Sequence, residues 1–288
     1  MSATASLPGA ATLVRLPEDA VAAPLPWWRV LLAFVRHGLH QQRRAPLTWG
    51  GALGAMSALM ALIWPTIDDA MSRMMDSYPE QLKQAFGIVR LDTVERYVDA
   101  EMLSIVVPLT LALLAVRCVT RTTVAAEAAG QLDTLLALPV SRRVLAWSSW
   151  IVAAAVVAGA LVVIWAATVV AGVVAGTGIS ATVIGRGMLN VWPLAMAFGG
   201  LALVAAGLVR GAGRVTAIAT GTLLAMYVLD LVGKLADDVS WLRTVSAFRW
   251  YGSAIQDGLD LRHVAGLTAV GLLLAAAGAQ LLERRDLR

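Results

Sequence analysis

The segment from Glu127 to Arg143 holds the densest set of residue types able to do specific work between two long hydrophobic runs. On a helical repeat, Ala128, Leu132, Leu135 and Leu136 form one apolar face, while Glu127, Gln131 and Asp133 fall on the polar side. Gly130 supplies a turn near the start. Pro139 forces an end, because the residue before a proline is pushed out of the helical region. Such a helix can rest its apolar face on a membrane and offer its polar face to a soluble subunit, the plainer reading being an ordinary amphipathic connector. Ser141 is placed to cap the following helix, with Arg142 and Arg143 at the inner membrane surface.

Reactive constellations are harder to assemble. The sequence has no Gly-x4-Gly-Lys-Ser/Thr phosphate loop, no His-Glu-x-x-His and no Gly-x-Ser-x-Gly elbow. His37 and His40 lie one helical turn apart, yet two imidazoles without a third ligand read as surface residues rather than a zinc site. Cys118 is the single cysteine, which excludes an intrachain disulfide and a cysteine metal cage. The remaining candidates are polar groups inside apolar runs, where a charge is costly unless it snorkels or faces a cavity. These are Arg117 and Thr110 in one run and Thr216, Thr220, Tyr227 and Asp230 in another. Each has a plainer reading: Arg117 snorkels to the inner surface, Asp230 sits at an interface, and the threonines bond back to their own helix.

The elements that carry these residues follow from composition. Hydrophobic residues make up 59% of 288 positions and charged ones 15%, well under the roughly 25% charged of soluble domains. The chain is therefore expected to be an all-α integral membrane protein. About six spans are long enough to cross hydrocarbon, at about 46–66, 102–120, 146–174, 188–209, 214–233 and 264–282. Lys and Arg flanking spans stay cytoplasmic. With both termini inside, the inner segments carry a charge of about +8 and the outer ones about −4, which accounts for the net +4. The high pI is then a signature of topology rather than of nucleic-acid binding, and the location is the inner or plasma membrane.

Residues 1–25 read as a disordered cytoplasmic tail, and 26–288 as one transmembrane domain. At 26–44, Trp27, Val30, Leu31, Phe34 and Leu39 recur at helical spacing, with Arg29, Arg36, His40 and Arg43 opposite and Arg44 just beyond. This pattern predicts a helix lying in the membrane plane, arginines toward anionic lipid or a partner. The outer segment from Asp68 to Glu101 predicts a short helix capped at Ser77 and stopped at Gly87, then a second one starting at Asp92-Thr-Val-Glu95 and running into the second span. Its acids, Asp99 and Glu101 among them, read as solvated charge. Arg210 to Arg214 makes a tight inner turn, and the aromatic stretch Trp241, Phe248, Trp250 and Tyr251 predicts short interfacial helices outside.

The elbow-like helix, the six spans, the Glu127–Arg143 loop with its Leu-Pro-x-Ser-Arg exit, the segment before the last span and the Glu-Arg-Arg-Asp-Leu ending together resemble ABC-2 type transporter permeases, particularly the bacterial drug and antibiotic exporter branch. The chain differs from the common family pattern in having Gly130-Gln-Leu-Asp133 in place of Gly-Thr-Leu-Glu, and Ser148 and Ser149 in place of Gly-Lys. The resemblance implies a permease subunit that moves a hydrophobic or amphipathic substrate out of the cell. It implies a homo- or heterodimer around a pathway lined mainly by spans two and five, and two copies of a cytoplasmic ATP-binding subunit. ATP and Mg would be held by that partner, with no cofactor on this chain. Glu127, Gly130, Asp133, Pro139 and Arg142 would form the contact that couples the two, with Arg36, Arg43 and Arg44 as ionic partners of Glu127. A non-transporting membrane anchor and a lipid-modifying enzyme are the alternative classes.

Overall fold

The computed structural model describes residues 26–76, 93–124, 141–235 and 237–284, and among these every regular element is helical. In chain order they are α1 (Trp27–Gln42), α2 (Ala45–Asp76), α3 (Val94–Val98), a π-helical turn (Asp99–Leu103), α4 (Val106–Thr122), α5 (Arg142–Val174), α6 (Ala181–Leu208), α7 (Ala212–Leu235), a 3-10 helix (Asp237–Val245), α8 (Ala247–Tyr251) and α9 (Leu261–Arg284). Five of them, α2, α5, α6, α7 and α9, are long and apolar enough to span a membrane, and α3 with its π turn together with α4, bent by 45° between them, is a candidate for a sixth. The chain is an all-α, multi-pass membrane protein.

Residue size dictates how the helices meet. Without a hydrophobic drive between helices in lipid, small residues permit close backbone approach and dispersion does the rest. Along α6 and α9 this is realised with glycine. A Cβ on Gly200 would lie 2.6 Å from the Gly271 carbonyl oxygen, and one on Gly278 would lie 2.6 Å from Leu203. A second seam joins α2 to α5, where Gly50 faces Ala160 and Ser57 shares a buried hydrogen bond of 2.6 Å with Thr168. Gly38 brings α1 against Val152 of α5. In the middle sits α6, flanked by α9, α4 and α5, and it is the most enclosed of the spans. Cys118 is buried on the core side of α4.

Several boundaries differ from the sequence expectation. The first span itself, Ala45–Asp68, ends close to the expected residue 66, but its helix continues to Asp76, with Pro65 inside it. Pro65 removes one backbone donor in a single turn, and the 32 residues reach about 48 Å. The helix outruns the roughly 30 Å of hydrocarbon and carries Asp68 into water. The cap expected at Asp92 is Thr93, whose hydroxyl accepts from the Arg96 N–H at 3.4 Å. The helix it starts does not run straight into the second span. It widens at Asp99, whose carbonyl accepts from the Ser104 N–H five residues on at 2.8 Å, and then bends. The third span ends at Val174, within reach of the expected glycine turn, where Gly176 and Gly178 adopt positive φ. The fourth begins earlier than expected, at Ala181, because the Ser180 hydroxyl caps it by accepting from the Val183 N–H. The 1–25 tail and the Ser77–Gly87 helix lie outside the described residues.

Candidate functional site

Three regions hold the candidate residues. The first is the end at which the chain enters α5. Glu127, Gly130, Asp133 and Pro139 lie outside the described residues, which resume at Ser141. Arg142 opens α5, and the exposed side chain of its neighbour Arg143 forms an ion pair with Glu283 near the end of α9. The exit of the 127–143 segment is thus tied both to the base of a 33-residue helix and to the last span. Also against α5 packs α1, with Gln42 buried at its end, while Arg36, Arg43 and Arg44 are exposed. Arg36 lies on α1 itself, and Arg43 and Arg44 in the two-residue link from α1 to α2.

The second region is formed by α4 and α7, which pack on each other. Most of α4 is buried, and its less buried positions include Val106, Thr110, Leu113, Arg117 and Arg121, which recur at helical spacing along one stripe. Arg117 and Arg121 are exposed on it. On α7, Gly213, Ala217, Gly221 and Ala225 follow each other every fourth residue, all exposed, and a Cβ at either glycine would meet nothing within 4 Å. Thr216 and Thr220 are half-buried, and the Thr220 hydroxyl is enclosed without a hydrogen-bond partner among the described residues. Tyr227 is edge-on to Phe248 at 5.5 Å. Asp230 is buried and ion-paired with Lys234 at 2.6 Å and Arg243 at 3.2 Å. Its carboxylate ties the end of α7 to the 3-10 helix, where Gly233 gives Arg243 room to cross.

The third region was missed in the sequence. Asp99 is not solvated: it is only 3% exposed, and its Oδ2 accepts from the Ser253 hydroxyl at 2.5 Å and the Gln256 amide at 3.1 Å. Glu95 is also buried, and it accepts from the Ser180 N–H at 2.6 Å. Glu101 is exposed, as expected of that acid. Nearby, the Tyr251 hydroxyl donates to the Leu103 carbonyl at 2.7 Å and the Asn190 amide donates to the Tyr251 carbonyl at 2.6 Å. Five elements are clasped through these bonds: α3, the π turn, the start of α6, α8 and the loop before α9. Spacing held the signal, since Val94, Val98 and Met102 and, beside them, Glu95, Asp99 and Leu103 recur every fourth residue on one buried face. Buried carboxylates persist only with such donors.

Independent comparison agrees with this architecture. A family model described as the C-terminal domain of the multidrug efflux system permease Rv1217c matches residues 37–282. The chain belongs to this family. No curated protein matches it significantly. The match runs from within α1 to within α9 and takes in all the candidate spans and the 127–143 segment, so the kinship with ABC-2 type permeases inferred from the sequence holds over most of the chain. As an efflux-system permease, the protein is a transporter component that acts together with other components. Among its described residues no three His, Cys, Asp or Glu side chains converge to hold a metal ion.

Proposed function

We propose that this efflux permease is the membrane-spanning half of an ATP-driven exporter, in which two permease copies pair around a pathway and two cytoplasmic ATPase subunits dock on Glu127–Pro139. The observation that carries the reading is the one-sidedness of the α4–α7 pair. It leaves a stripe on α4 bearing Thr110, Arg117 and Arg121, and on α7 an exposed face of four small residues whose two glycines, Gly213 and Gly221, have open space where a Cβ would stand. Small residues spaced every fourth position support close helix pairing in lipid. A second copy laid there would turn a half-lined stripe into an enclosed path with few fixed charges, which suits hydrophobic or amphipathic cargo. ATP and Mg belong to the ATPase partner. Closure of the paired ATPases would push the 127–143 segment, and Arg142 and Arg143 would pass that push to α5 and, through Glu283, to α9. Cytoplasmic termini and an in-plane α1 complete the arrangement.

Purification from native membranes in mild detergent, beside a Glu127→Arg variant, tests this. A stoichiometric ATP-binding subunit that is lost in the variant, with ATP-dependent substrate movement in vesicles lost alongside, is the expected result. A variant that still inserts and transports as the native protein does would overturn the coupling role, and a chain recovered alone in both forms would favour a membrane anchor.

A further inference from the structure

Between α5 and α6 opens a groove of about 250 Å3. Leu161, Val162 and Trp165 line it from α5, and Gly185, Met188 and Trp192 from α6. Two features make its interior purely apolar. The Trp165 indole N–H donates to the Ala181 carbonyl at 2.9 Å and that of Trp192 to the Ala154 carbonyl at 3.1 Å, so neither ring has a hydrogen-bond donor left for the groove. Gly185 keeps its α6 wall low, since a Cβ there would stand in van der Waals contact with the Trp165 ring at 3.5 Å and a longer side chain would fill the space beyond it. A polar solute here would lose its hydrogen bonds to water and regain none. From Trp165 to Ala158 along α5 the groove extends for about 10 Å, within the span.

None of the lining residues is charged, but an arginine adjoins them in sequence on α6. Arg186 follows Gly185 and lies nearly one helical turn before Leu189, which also lines the groove. It is exposed and has no ion-pair partner among the described residues. Helical side chains lean toward the N-terminus of their helix, which directs the Arg186 guanidinium toward the start of α6 at Ala181, the end nearest water. An apolar trough with an exposed arginine next in sequence to its lining residue Gly185 matches an acyl chain joined to a phosphate. We propose that this groove holds one acyl chain of an anionic membrane phospholipid, whose phosphate is bound by Arg186. The proposal does not depend on the exporter reading, because it concerns another pair of helices.

The test uses the full-length chain in phosphatidylcholine vesicles doped with brominated-chain phosphatidylglycerol or brominated-chain phosphatidylcholine, with tryptophan quenching as readout. The groove component is the part of the quenching that disappears in Trp165→Phe and Trp192→Phe. It should respond about fivefold more strongly to the anionic lipid, the preference one arginine at a membrane surface provides. Arg186→Gln should make the two lipids equal, and Arg186→Lys should retain the preference. Gly185→Leu should reduce the groove component for both lipids. Equal quenching by the two lipids in the native protein would overturn the proposal. So would a groove component that neither lipid reaches, which would mean a second copy or another occupant covers it.

Discussion

Asp99 and Asp230 are both buried carboxylates, yet they answer to different partners and fail in different ways. Asp99 is held by two neutral donors, so Asp99→Ala leaves the Ser253 hydroxyl and the Gln256 amide without their acceptor. The expected loss is about 1–3 kcal/mol, the penalty for stranding buried polar groups. It is read as a lower unfolding midpoint in detergent, with Glu101→Ala close to the native value. Asp230 is held by two cations that keep much of their water, since the Lys234 side chain is 54% and that of Arg243 35% exposed. Asp230→Ala should therefore act mainly by releasing the 3-10 helix, seen as faster proteolysis within 237–245 in reconstituted protein, while Lys234→Ala leaves that rate nearly unchanged. Asp230 was visible in the sequence as a charge in an apolar run. Its partner Arg243 was not, because only the turn after α7 brings it back. Asp99 was hidden by the acids around it, since a run of charge along the chain says nothing of which side chain the helix turns inward.

At the level of helices, the position of each glycine separates two kinds of seam. Gly278 is enclosed against Leu203, so Gly278→Leu should overpack the α6–α9 contact by about 1–3 kcal/mol and shift the purified protein from a sharp to an aggregated peak in size-exclusion chromatography. Gly221 meets nothing, and Gly221→Leu should leave the isolated subunit as stable as before while weakening its association with a second copy. Hydropathy made the spans legible because each needs about 20 apolar residues whatever its neighbours. It could not mark where α2 ends, since helix formation continues past the membrane boundary wherever the residues beyond it still favour helix. Nor could it mark the π turn at Asp99, which depends on a hydrogen bond one residue longer than the α-helical one and on the clasp from α8 and the following loop. The glycine signals did fix two turns well, after Val174 and after Leu208, where Gly176, Gly178 and Gly211 adopt positive φ.

For the molecule as a whole, the exposed small-residue face of α7 makes a geometric prediction. Cysteines introduced at Gly221 or Ala225 should link to their counterparts in a second copy with a short bifunctional thiol reagent, and ones at Val162 should not; the reverse pattern would move the pairing face to α5. The family membership and the spans were legible in one sequence, because both rest on patterns repeated along its length. A face for the proposed pairing with a second copy was not, because a face that packs on lipid and a face that packs on protein are written in the same apolar residues. Here the burial of Cys118 acquires a practical value. The sole native thiol is sealed against the core of α4, so the unaltered chain presents no reactive sulfur to a reagent arriving from either side of the membrane. Any cysteine placed on its surface would then be the one labelled atom in the subunit, and pairs of spin or fluorescent probes could report the opening and closing of the bundle without first rebuilding the native sequence.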